Sequence, residues 1–237
     1  MNIKKISLCQ NEKWNYDVMP RSLDTDYFPL YDFMYPFSNE IMLDCERIVF
    51  TLKEKGITSE ICFHLNVAFI NESGHKDPEL MDFTTFGIKG MRFVNIYLNA
   101  DEFNEMTNEQ KRYCILKKIS EAAVMITESN QAEQIEEVIM NIYKLSSETE
   151  CLFLEKQTVK YHAMVRFRSS MDGYTAILYL KNNVTEAEKK QILFQNLSFA
   201  DLVYKIHKIK FKQGKCIICP KDYSYIQDED IVVELDI

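Results

Sequence analysis

Two cysteines, Cys216 and Cys219, form a Cys-x-x-Cys motif that is followed by Pro220. A structural zinc site needs four ligands, and the chain offers no second pair with ligand spacing. A redox pair usually begins a helix, where the helix dipole lowers the thiol pKa. The residues from Phe211 to Ile218 instead have the pattern of a strand, which would place the two thiols on opposite faces. We expect buried structural cysteines, with a metal or redox role as the alternative.

The four histidines are the other candidates for chemistry, and they are isolated from one another in the sequence. His64 and His162 fall within predicted strands, and His75 falls in a long connection. The chain has no GxSxG, HExxH, P-loop or GxGxxG motif, and six glycines are few for phosphate-cradling loops. The sequence therefore predicts no catalytic residue, no metal and no cofactor. The first alternative is an enzyme or small-ligand-binding protein, with a histidine beside a carboxylate in a pocket on a sheet face.

Lysines alternate with apolar residues between Lys205 and Lys215, and the stretch from Asp201 to Lys221 has six lysines against one acidic residue. A phosphate-binding strip would have this charge, but the aromatic platform that single-stranded nucleic acid needs is missing. Lysines also protect an edge strand from pairing with other chains. We expect such an edge strand, and a nucleic-acid-binding module that uses Lys205–Lys215 is the second alternative.

The segment from Tyr27 to Phe37 contains six aromatic residues and two prolines. Such a segment must be buried, and whether it is core or interface stays open. Acidic residues precede it, and another acidic cluster lies near the C-terminus. Together they favour a surface that docks a basic protein, because charges orient the encounter and tyrosines anchor it. The predicted partner-binding residues are Tyr27, Tyr31, Tyr35, Asp24, Asp26, Asp228, Glu229 and Asp230.

The bulk composition is that of an ordinary globular protein: 237 residues, 46% hydrophobic and 27% charged. A net charge of −8 disfavours nucleic acid and anionic membranes and suits a basic or neutral partner. No apolar run is long enough for a spanning helix or a signal-peptide core. Seven scattered cysteines are typical of a reducing compartment. We predict a soluble cytoplasmic protein.

Hydrophobic periodicity predicts the elements that must position these side chains. We expect the two longer strands of the first half to pair antiparallel. The predicted elements of the first half are a short strand over 3–8, a helix from Ser38 to Gly56, strands from Glu60 to Ile70 and Met91 to Asn99, a helix from the Thr107 capping box, and a helix from Gln131 to Leu145.

The second half contains two hairpin signals. The first joins residues 159–168 to 174–181, and the second joins residues 208–212 to 215–219 across Gln213-Gly214. We also expect a short helix from Ser198 and a last strand over 231–235.

Thr185 and Glu188 have the spacing of a capping box, as do Thr107 and Gln110, and each box follows a predicted strand pair. The second box predicts a helix that extends to Leu197. Aligning the boxes suggests a duplicated β-β-α unit, although any capped helix gives this pattern. The predicted fold class is α+β, with antiparallel sheets packed against amphipathic helices. We expect a single domain over 1–237, with residues 146–150 as the only candidate boundary.

The strand that ends in Asn99-Ala100-Asp101-Glu102-Phe103, followed by Met106-Thr-Asn-Glu-Gln-Lys111 and a long helix, resembles a recurring segment of bacterial immunity proteins. These proteins neutralise a cognate polymorphic or contact-delivered toxin. The resemblance covers residues 91–127 and implies an acidic, cytoplasmic, non-catalytic protein that covers the active site of its toxin. No functional residue of that family is carried over. The predicted function is an immunity or inhibitor protein whose partner is another protein, such as a basic toxin domain.

Overall fold

The computed structural model describes residues 1–11, 39–71, 77–81, 90–222 and 229–235. The structure is 36% helix and 41% strand, which confirms the predicted α+β class. The chain divides into two compact units, Met1–Ser146 and Ser147–Ile237. No helix among the described residues combines the length and the apolarity that crossing a membrane requires.

In the described part of the first unit, a four-stranded sheet combines with four α-helices. The sheet has the order β1-β2-β4-β3, in which β1, β2 and β4 are parallel and β3 is antiparallel to β4. Its elements are β1 (Lys5–Asn11), α1 (Asn39–Glu54), β2 (His64–Asn71), β3 (Glu79–Met81), β4 (Met91–Leu98), α2 (Ala100–Glu105), α3 (Asn108–Met125) and α4 (Ala132–Leu145).

The antiparallel pairing predicted for the strands now called β2 and β4 is wrong, because the two strands run in parallel. Six consecutive residues of β2 are buried, so both of its faces are covered, as is usual for a parallel strand. A parallel pair also needs a crossover of about a dozen residues or more, and residues 72–90 provide that length.

Local signals place the helices of the first unit. The Thr107 hydroxyl accepts from the Gln110 N–H, and the Gln110 side chain accepts from the Thr107 N–H, which confirms the predicted capping box. Gly56 follows α1 with φ +71°, a left-handed conformation that ends helices and favours glycine. Each isoleucine or leucine fully buried between helices and sheet contributes about 1.5–3 kcal/mol. The core includes Ile41, Ile48, Leu52, Leu65, Ile96, Ile115, Ile119 and Ile139.

The second unit has two antiparallel sheets with the orders β5-β6-β7-β8 and β11-β10-β9. Both predicted hairpins are confirmed, and the Ser198 hydroxyl caps α5 by accepting from the Asp201 N–H. The elements are β5 (Cys151–Gln157), β6 (Tyr161–Ser170), β7 (Gly173–Asn182), β8 (Glu188–Leu197), α5 (Phe199–Lys205), β9 (Lys208–Lys212), β10 (Lys215–Cys219) and β11 (Ile231–Glu234).

The helix predicted from the second capping box is wrong, because residues 188–197 form β8 and pair antiparallel with β7. The Thr185 hydroxyl accepts from the Ala187 N–H, two residues on, which is a turn and not a helix cap. Glu186 then has φ +58°, which a right-handed helix does not allow. The suggested β-β-α duplication is therefore absent: the first box starts a helix after parallel strands, and the second starts a strand.

Candidate functional site

The structure describes only two of the predicted partner-binding residues, Glu229 and Asp230, and both are exposed. The others lie outside the described residues: Asp24, Asp26, Tyr27, Tyr31, Tyr35 and Asp228.

The two described acids lie beside the lysine strip. Glu229 and Lys205 line the same small cavity, of about 140 Å³. After burial, Lys210 and Asp230 are the groups that change the pKa of the Cys219 thiol most: Lys210 lowers it and Asp230 raises it. Glu229 and Asp230 are therefore close to two lysines of the strip, Lys205 and Lys210, and the charges offset each other.

Three lysines of the strip lie on an outer strand of a sheet, as the edge-strand prediction expects. β9 is an outer strand of the β11-β10-β9 sheet, and its lysines at 208, 210 and 212 are exposed. Between them Ile209 is buried, and the ring of Phe211 packs against that of Tyr161 at 5.8 Å. On β10, Lys215 Nζ lies 3.0 Å from Glu234 Oε1.

The Cys-x-x-Cys motif lies on β10, as predicted, and both thiols are buried. Burial raises the pKa of Cys216 to about 11 and also raises that of Cys219, so both are protonated at neutral pH. A protonated thiol is a poor nucleophile and a poor metal ligand. In the described ranges, no group of three or more His, Cys, Asp and Glu side chains could hold a metal ion.

Two of the histidines make side-chain contacts across neighbouring strands. His64 Nε2 lies 2.9 Å from Ser7 Oγ, and burial, with the Lys5 ammonium second, lowers the pKa of His64. His162 Nε2 lies 2.6 Å from Glu155 Oε1. The second pair meets the hydrogen-bond condition of the enzyme alternative, but the Glu155 side chain is 44% exposed, so water screens it.

Glu150 is the centre of a hydrogen-bonded cluster with three side chains of the β5-β6-β7-β8 sheet. Glu150 accepts hydrogen bonds from Arg168 Nη2 at 2.7 Å, Lys190 Nζ at 3.2 Å and the Tyr179 hydroxyl. Burial raises the pKa of Glu150, but these hydrogen bonds outweigh it and hold the pKa below its ordinary value. All three donors bind the same carboxylate, so these side chains satisfy one another. We therefore interpret the cluster as structural.

A groove of about 610 Å³ runs along α3 in the first unit. We call it the α3 groove. Its α3 residues recur every three or four positions, so they form one stripe of the helix, on a different side from the buried Ile115 and Ile119. The α3 groove is lined by Met106, Glu109, Tyr113, Cys114, Lys117 and Glu121, among others, with Tyr143 from α4.

Two tyrosines form the centre of the α3 groove. The rings of Tyr113 and Tyr143 meet edge to face with centroids 5.3 Å apart, and Tyr113 is 41% exposed. The Tyr143 hydroxyl donates to Glu109 Oε1 at 3.3 Å. Burial and the Glu109 carboxylate raise the pKa of Tyr143, so its phenol is neutral at physiological pH. Such a pair offers apolar rings and polar tips to a ligand.

A buried charge cluster beneath the groove holds Tyr143 in place. Asp44 of α1 is fully buried, and it accepts from Arg112 Nε at 2.8 Å and from Arg47 Nη1 at 2.6 Å. Arg112 also donates to the Tyr143 carbonyl at 3.2 Å and stacks on its ring at 5.3 Å. The cluster thereby joins α1, α3 and α4 through directed contacts.

The net charge of the chain resides entirely in the first unit. Residues 1–146 carry 23 acidic and 15 basic side chains, a net charge of −8, whereas residues 147–237 carry 13 of each. Several cations near the α3 groove are already engaged. Lys111 is 5% exposed and lies over the Phe103 ring, Arg112 binds Asp44, and Lys118 Nζ lies 2.7 Å from Glu121 Oε2.

The acids of α2, α3 and α4, by contrast, are mostly exposed. The exposed surface of these helices is therefore more acidic than a residue count of them indicates. The exposed acids are Asp101, Glu102, Glu105, Glu109, Glu133, Glu136 and Glu137.

Sequence reasoning did not find the α3 groove. The available signal was a tyrosine outside the buried stripe of each of two consecutive helices, at Tyr113 and Tyr143. Periodicity alone cannot show that these two tyrosines meet, because their contact depends on how α3 packs on α4.

Comparison with protein-family models, with curated proteins and with solved structures finds no match to this chain.

Proposed function

We propose that this chain is a non-catalytic binding protein that neutralises a cognate basic protein, such as a toxin domain, by occluding it in the cytoplasm. The observation that carries the proposal is the concentration of the whole net charge of −8 in the unit that contains the tyrosine-lined α3 groove. Acidic charge speeds and orients the encounter with a basic partner, and exposed tyrosines are effective anchors in interfaces.

The state of the reactive side chains supports a binding role. Burial keeps Cys45, Cys62 and Cys216 protonated at neutral pH, so none of them supplies a thiolate. His64 is held neutral beside Ser7, and the Glu155 partner of His162 is open to solvent. Occlusion needs none of these groups.

Co-expression with the product of the gene encoded immediately upstream tests this proposal. We expect the two proteins to co-purify as a complex, and cells that express both to grow when the upstream product alone arrests growth. Failure of this chain both to co-purify with the upstream product and to protect against it would contradict the proposal.

A further inference from the structure

We infer that the α3 groove is the docking surface of this protein and that its occupant is a cationic amphipathic helix of the partner. The inference rests on the proposed function, and it adds the location of the contact and the chemistry of the partner.

The dimensions of the groove suit a helix of about three turns. Glu109 and Glu121 lie twelve positions apart on α3, which is about 18 Å at the helical rise of about 1.5 Å per residue. The floor between them contains the Tyr113 and Tyr143 rings and the Cys114 side chain. Burial raises the pKa of Cys114, so this thiol is neutral and packs as an apolar group. An apolar stripe of a partner helix would cover this floor.

The charges along the groove select a cationic helix. Glu109 lies at one end and is exposed, and the exposed Glu105, the last residue of α2, directly precedes Met106 of the lining. On α4, Glu136 precedes Tyr143 by seven residues, which is about two turns, so both lie on the same side of that helix. Lys118 and Glu121 pair with each other and offset their charges, so the exposed acids Glu105, Glu109 and Glu136 outnumber the other lysine of the lining, Lys117. The partner helix would therefore present lysine or arginine beside its apolar stripe.

Charge also disfavours a second copy of this chain as the occupant. Docking one first unit against another would bring together two surfaces of net charge −8, and like charges in an interface are repulsive. Lys117, an exposed lysine in the lining, opposes a cationic occupant in the same way. Replacing this one side chain by an acid should therefore strengthen binding.

The test uses the full chain and a fluorescein-labelled peptide of 18 residues that places leucines on one helical face and lysines on the other. A peptide with glutamate in place of lysine is the matched control. We expect the lysine peptide to bind, as measured by fluorescence anisotropy, and the glutamate peptide not to bind.

Variants of the chain locate the binding surface. Truncating the central anchor with Tyr113→Ala should weaken binding about tenfold, a typical loss for an interface hot spot. Glu109→Lys with Glu121→Lys should weaken it about as much, and Lys117→Glu should strengthen it about threefold, since rim charges contribute modestly. Tyr113→Phe keeps the ring and should bind within about twofold of the wild type. Circular dichroism on heating verifies that each variant is folded.

The control for total charge is Glu186→Lys with Glu188→Lys, which changes the net charge equally but lies in the neutral second unit, where both side chains are exposed. This control should change binding less than about twofold, because neither side chain belongs to the groove lining or to the charged first unit. The inference is overturned if the lysine peptide does not bind, if both peptides bind equally, or if the control variant weakens binding as much as the groove variants.

The co-expression experiment separates this inference from the proposed function. If the wild-type chain neither captures nor neutralises the upstream product, the proposed function fails. If the wild type captures it and the Tyr113→Ala and charge-reversal variants capture it equally well, only the docking surface is wrong.

Discussion

Asp44 is the side chain whose loss should destabilise the first unit most directly. It is fully buried and neutralises both Arg47 and Arg112. Asp44→Ala would leave two guanidinium groups short of their carboxylate, one of them almost fully buried, and breaking a buried pair in this way costs about 3–5 kcal/mol. Urea unfolding at pH 7 should show this loss in the free energy of unfolding.

The matched control for Asp44→Ala is Glu137→Ala, which removes an exposed carboxylate of α4 and should change the free energy of unfolding by less than about 0.5 kcal/mol. Equal losses for the two variants would show that the buried cluster does not hold the helices together.

His64 should make stability depend on pH. Burial and the nearby Lys5 lower its pKa below the ordinary value of 6.5, so the folded protein holds the neutral imidazole. Below about pH 6.5 the unfolded chain binds a proton that the folded chain resists, and stability falls as pH falls further. The contribution of the neutral His64 imidazole to the free energy of unfolding is fully present above that pH. Measuring the free energy of unfolding from pH 7.5 to 5 should therefore show a steeper decline for the wild type than for His64→Gln, and parallel curves would contradict the assignment.

At the scale of elements, β7 and β8 come close together at Gly173, where we expect any larger residue to destabilise the sheet. Gly173 begins β7 with φ +120°, and a Cβ there would lie 2.7 Å from the carbonyl oxygen of Leu197 at the end of β8. Gly173→Ala therefore adds a backbone clash to a strained conformation, and we expect a loss of about 1–3 kcal/mol or more. Thermal unfolding of the variant measures it.

The control for this prediction is Gly214→Ala in the β9–β10 turn. Gly214 has φ +74°, but among the described residues, its two chain neighbours aside, no atom lies within 4 Å of the position that an alanine methyl group would take. The variant therefore carries only the conformational cost of about 1 kcal/mol. The difference between the two variants isolates the contact between β7 and β8. If Gly214→Ala proves the more destabilising, that contact does not limit the packing of the sheet.

The elements that the sequence predicts correctly are those whose signals are local. The Thr107 capping box, the hairpin turn at Gln213-Gly214 and the Ser198 cap each depend on a few neighbouring residues. The errors depend on distant partners. Thr185 and Glu188 have the residue types and the spacing of a capping box, but residues 188–197 form a strand that pairs with β7 and not a helix. The parallel pairing of β2 and β4 follows from burial on both faces, which alternation alone did not reveal.

The candidate site was less predictable than the fold for the same reason. Composition indicated an acidic, partner-binding protein, but the α3 groove requires Tyr113 and Tyr143 to meet across two helices. Arg112, which holds Tyr143, reaches Asp44 across 68 positions of sequence. No local pattern indicates a contact at that separation.

At the scale of the whole molecule, charge is divided unequally between the two units, and this division has a kinetic consequence. The first unit carries the net charge of −8 and the second is neutral. Surface charges act over roughly 10 Å at about 0.1 M salt and over longer distances at lower salt, so they chiefly change the rate of association. The charge of the first unit should therefore attract a cationic ligand before contact is made.

The leucine–lysine peptide provides the measurement. We expect its association rate constant, from stopped-flow anisotropy, to fall about tenfold between 20 and 300 mM salt while its dissociation rate changes by less than about threefold. Glu109→Lys with Glu121→Lys should flatten this dependence, because it removes charge from the attracting unit. Glu186→Lys with Glu188→Lys should leave the slope nearly unchanged. If the two double variants flatten it equally, the attraction belongs to the total charge of the chain and the unequal division between the units has no role in binding.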